Sequence, residues 1–103
     1  MGNDTSLLPP QAIEDFEYYV AFLTDSLKEY EDLMQKENLE CFQASEALRL
    51  ADREDPDDLA EQTAHMKYHI TRLENLKAVY ALTKDNLQTA AKKLEVLRKP
   101  TEN

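Results

Sequence analysis

The chain has 103 residues with 21 acidic against 12 basic side chains, a formal charge of −9 and a pI near 4.6. That balance argues against a nucleic-acid binder, which needs clustered Lys and Arg to neutralise phosphates. One glycine, no tryptophan and four prolines leave little material for phosphate-binding loops or hairpin turns, so a sheet is not expected.

The first nine residues read as a tail. Met1 to Ser6 match the myristoylation form M-G-x-x-x-[ST], which would make Gly2 a lipid-attachment site. One acyl chain binds membranes only marginally, and the acidic neighbours add no attraction to anionic lipid. Membrane contact is therefore expected only if Gly2 is acylated. The tail has neither the basic start nor the apolar centre of a secretory signal, and no apolar run approaches the roughly 18 residues of a span.

Pro9 and Pro10 are helix-opening residues, and the pattern that follows predicts a helix over about 10–53. Its heptad a and d positions run Ile13, Phe16, Val20, Leu23, Leu27, Tyr30, Met34, Glu37, Cys41, Ala44, Leu48 and Ala51, in steps of three and four without interruption. A break at Lys36 and Glu37, with Asn38 capping a new helix, is the weaker reading because the heptad passes through it.

A turn is expected at about 54–56, where Asp55 would cap a helix with Pro56 in its first position. The five acids of Asp52–Asp58 lack the glycine and spacing of a calcium loop, so they read as a solvated capping turn. The second helix is expected over about 57–99, with 100–103 as a tail. Its seam runs Leu59, Gln62, Met66, His69, Leu73, Leu76, Tyr80, Thr83, Leu87, Ala90, Leu94 and Leu97. Folding back at Asp55 places residue i beside a residue near 110 − i, and each seam position then meets another. The predicted fold is all-α: an antiparallel two-helix coiled-coil hairpin, completing a helical bundle by dimerisation or with partner helices.

Charge supports that pairing. Residues 1 to 58 carry a net −12 and residues 59 to 103 a net +3. Lys92, Lys93, Arg98 and Lys99 are expected near Glu14, Asp15 and Glu17. Each exposed pair contributes only about 0–1 kcal/mol, but the asymmetry disfavours parallel pairing of two first helices.

Glu37, Cys41, His65 and His69 form the unusual polar cluster. His65 and His69 share one helical face, the register sets Cys41 opposite His69, and Glu37 lies one turn away. Thiolate, imidazole and carboxylate are zinc ligands, which makes a metal-binding bundle one alternative. The simpler reading is a buried Glu37–His69 hydrogen bond that fixes register. No Glu-x-x-His pattern supports a di-iron site, and a coiled-coil seam offers neither cleft nor oxyanion site to Cys41. No enzyme activity and no cofactor are expected. A single cysteine forms no internal disulfide and suits a cytoplasmic, reducing compartment.

Apolar residues off the seam carry the functional expectation. Tyr19, Phe22, Leu33, Leu39, Phe42 and Leu50, with Ile70, Val79, Leu82 and Ala91, exceed what two helices can cover. They predict a protein partner, either a second copy or other coiled-coil subunits. The stretch Leu33–Ala51, LMQKENLECFQASEALRLA, resembles the first helix of bacterial flagellar export chaperones, which implies a client-shielding alternative. The opening PQAIEDFE from Pro10 and the closing LEVL from Leu94 are similar to helical subunits of the lysosome-positioning BLOC-related complex, which implies an assembly subunit.

Overall fold

The computed structural model describes residues 9–99, and the Gly2 site lies outside them. Two long helices, α1 (Pro9–Arg49) and α2 (Pro56–Arg98), pack against each other as an all-α helical hairpin. Among the described residues there is no strand, and no helix is long and apolar enough to cross a membrane. Pro9 and Pro10 occupy the first turn of α1, where backbone N–H groups have no intrahelical acceptor and a proline loses nothing. The helix then continues unbroken through Lys36 and Glu37.

The turn is built by aspartates. α1 ends at Arg49, four residues before the expected end near residue 53, because a local alternative competes with the helical ladder there. Asp52 donates its N–H to the Asp58 carboxylate (3.0 Å) and accepts from the Glu54 N–H (2.9 Å). Asp55 caps α2, its Oδ1 accepting from Asp57 N (3.0 Å) and Asp58 N (3.3 Å), and Pro56 takes the first helical position. Asp57 and Asp58 in the first turn oppose the positive end of the helix dipole.

The heptad assignment and the burial pattern coincide. Every a and d residue of both series is buried or half-buried. The buried set is Leu23, Glu37, Ala44, His69, Thr83, Ala90 and Leu94, all seam positions. Burying a Leu contributes about 1.5–3 kcal/mol, so Leu23 and Leu94 are principal apolar contributors. The core is thin nonetheless, as a seam between only two helices must be.

Contacts divide the hairpin into two compact units. The turn unit is Glu29–Tyr80. The terminal unit combines the chain up to Lys28 with the chain from Ala81.

Candidate functional site

In the turn unit, two polar side chains occupy seam positions where apolar residues would otherwise stand. Glu37 is 5% exposed and His69 8%. The Glu37 carboxylate bonds Nδ1 of His69 through Oε2 and accepts from Nε of Arg72 through Oε1 at 3.0 Å. Burial pushes the Glu37 carboxyl upward, but the bonds from His69 and Arg72 outweigh it and hold the group below its ordinary value. Glu37 is thus an ionised acceptor, and Nδ1 of His69 carries the proton it donates.

A second layer supports these donors. Arg72 Nη1 donates to the Tyr68 hydroxyl at 3.4 Å, with the guanidinium 5.9 Å from the ring centroid. The His69 ring meets His65 and Tyr68 edge to face, at 4.6 and 5.1 Å between centroids. A three-residue step along α2 sets His69 beside Arg72, and a four-residue step sets Tyr68 beneath it, so one helical face delivers the whole arrangement. Glu37 and Arg72, like Glu31 and the Tyr80 hydroxyl that donates to it at 2.8 Å, lie within one residue of the expected register. Glu37 reaches His69 by spanning the turn that the register leaves between them.

Cys41 is half-buried and free. Burial pushes its thiol up, the nearby Glu37 charge adds to this, and Lys77 opposes it. The sulfur is consequently held as a neutral thiol, the opposite of an activated nucleophile or metal-ready thiolate. His65 is exposed and meets the His69 ring edge to face. Among the described residues no three His, Cys, Asp or Glu side chains converge where a metal ion could sit.

A groove of about 490 Å³ opens over the pair, with Leu33, Leu39 and Tyr68 as its apolar rim. A second, lined by Tyr30, Arg72, Leu76 and Val79, shares Arg72 with it. Tyr19, Phe22, Leu33, Leu39, Phe42, Leu50, Ile70, Val79 and Leu82 are all exposed. They do not form one patch. In the turn unit Leu33, Leu50 and Val79 fall at heptad positions g and c, on one side of their helices, whereas Phe42 and Ile70 fall at b and e, on the other. In the terminal unit Tyr19, Phe22 and Leu82 again occupy g or c.

Sequence reasoning missed Tyr18, Tyr68, Val96 and Arg72. The three apolar surfaces are exposed. The available signal was positional: Tyr68, Arg72 and Val96 share the g and c side with the residues that were found. In the terminal unit Arg98 pairs with Glu17, while the other expected basic residues form no ion pair among the described residues. Comparison of the chain with protein families, curated proteins and solved structures gives no match.

Proposed function

We propose that the chain is a non-enzymatic assembly module, a coiled-coil subunit that joins a homo-oligomer or a larger helical complex through apolar side chains outside its own seam. One observation carries this reading. The seam positions are covered by the two helices, yet Phe22, Leu82 and Val96 remain 57%, 62% and 64% exposed. Leaving such side chains in water forgoes about 1.5–3 kcal/mol each, which a partner would recover.

The chemistry of the polar cluster supports a structural rather than catalytic role. Glu37 and His69 are committed to each other, and Cys41 is held as a thiol. The protonated, free thiol also suits a cytoplasmic setting. The net charge of −9 argues for protein rather than nucleic-acid partners.

The test is purification of the chain at native abundance, with the variant Phe22→Glu/Leu33→Glu beside it. Both positions lie outside the seam, so helicity by circular dichroism should persist. Stoichiometric association, with itself or with other helical proteins, should be lost in the variant. A wild-type chain that purifies alone as a monomer would refute the reading. Capture of one secreted client segment would point to the export-chaperone alternative instead.

A further inference from the structure

The two units differ in what could lie on them. In the turn unit both helices are acidic overall: Glu29, Glu31, Asp32, Glu37, Glu40 and Glu46 outnumber Lys36 and Arg49 on α1, and Asp57, Asp58, Glu61 and Glu74 outnumber Lys67, Arg72 and Lys77 on α2. α1 there is strongly acidic and α2 only slightly so, which leaves a second copy no oppositely charged helix to lie on. In the terminal unit the helices are opposite. The α1 portion carries Glu14, Asp15, Glu17 and Asp25 against Lys28, and the α2 portion carries Lys84, Lys92, Lys93, Arg98 and Lys99 against Asp85 and Glu95.

Within the terminal unit the two sides also differ. The b and e side holds Glu14, Glu17, Lys28, Lys84, Glu95 and Arg98, including the Glu17–Arg98 ion pair. The g and c side holds the exposed Tyr19, Phe22, Leu82 and Val96, the neutral Ser26, Asn86 and Thr89, and only two charges, Asp15 and Lys93. Its cleft is formed by Phe16, Lys93, Val96 and Leu97. An apolar side with two opposite charges can be buried without the desolvation cost of a charged surface.

We propose that a second copy of this chain docks on the g and c side of the terminal unit about a two-fold axis along the helices, α1 of each copy lying on α2 of the other. This rests on the assembly reading and names its partner. Such an axis sets acidic α1 against basic α2 twice, so every helix has oppositely charged neighbours. It also brings Asp15 of one copy level with Lys93 of the second, because the hairpin register places residue 15 near residue 95. The alternative axis, which sets α1 on α1, opposes Asp15 to the acidic α1 of the other copy and is disfavoured by the same charges.

Sedimentation equilibrium of the full chain up to about 100 µM tests this. A dimer is expected. Phe22→Glu and Leu82→Glu should each raise its dissociation constant roughly ten- to a hundredfold, with helicity retained. Asp15→Lys and Lys93→Glu keep Tyr19, Phe22, Leu82 and Val96 in place; each should weaken the dimer severalfold, and the two together should restore it. A wild-type monomer throughout, a dimer indifferent to both Glu variants, or failure of the double charge swap to restore binding would overturn the proposal. If the chain is monomeric but a different helical protein copurifies stoichiometrically and is lost with Phe22→Glu, the second-copy proposal falls while the assembly reading stands.

Discussion

Glu37 and His69, 32 residues apart in the chain, are joined by a hydrogen bond inside the seam. Two buried polar groups in so thin a core are joined only when the helices are in this register, because a shift of one heptad carries His69 about two turns along the seam relative to Glu37. Removing the acceptor with Glu37→Ala leaves His69 and Arg72 without their partner and should cost about 1–3 kcal/mol in urea denaturation. Replacing both residues, Glu37→Leu/His69→Leu, should leave stability equal or higher, because apolar seam residues avoid the desolvation of a buried polar pair. The double variant should then show mixed association states on sedimentation. Retention of a single species would deny the pair a role in register.

The same pair gives stability a pH dependence of defined sign. The folded-state pKa of Glu37 lies below its ordinary 4.5, so its ionised form is favoured by folding. That contribution is fully present above pH 4.5 and is lost as pH falls through the lower folded value. Denaturation midpoints of the wild type and Glu37→Gln, compared from about pH 6 to pH 3, should differ at the upper end and converge at the lower. Parallel curves across the range would contradict the assignment.

The fold was largely legible because heptad periodicity states directly which side chains face the partner helix, and the burial pattern follows it at every position. Helix ends were less legible. The early end of α1 depends on Asp52, whose N–H donates to the Asp58 carboxylate and whose own carboxylate accepts from the Glu54 N–H, and periodicity carries no information about such bonds. Arg72 was missed because it lies at position g, outside the seam, and reaches Glu37 through a long side chain. The exposed apolar residues were found by excess over the seam, but their division between two sides emerges only when each is given its own heptad position.

Asp55 is the residue on which the start of α2 depends, since its Oδ1 satisfies the N–H groups of Asp57 and Asp58. Asp55→Ala should cost about 1 kcal/mol, lowering the melting temperature by roughly 4–8 °C for a domain of this size. Asp55→Asn keeps the acceptor and should restore most of the loss. An alanine variant melting with the wild type would show that the start of α2 does not depend on this cap.

Hairpin pairing in the terminal unit can be tested by a covalent bond. Leu23 is buried and Leu87 half-buried, and the register sets them opposite each other in the same unit as the Glu17–Arg98 ion pair. With Cys41→Ser removing the native thiol, Leu23→Cys and Leu87→Cys should form a disulfide within one chain, since their Cα atoms then meet the limit of about 7 Å. Closing so long a loop should stabilise the fold by up to about 4 kcal/mol. Moving the second cysteine by one residue, to Gln88→Cys, turns it about 100° out of the seam and should abolish the intrachain bond. Non-reducing electrophoresis reads each case. Crosslinks formed only between chains, or equally by positions 87 and 88, would mean that the helices do not pair in this register.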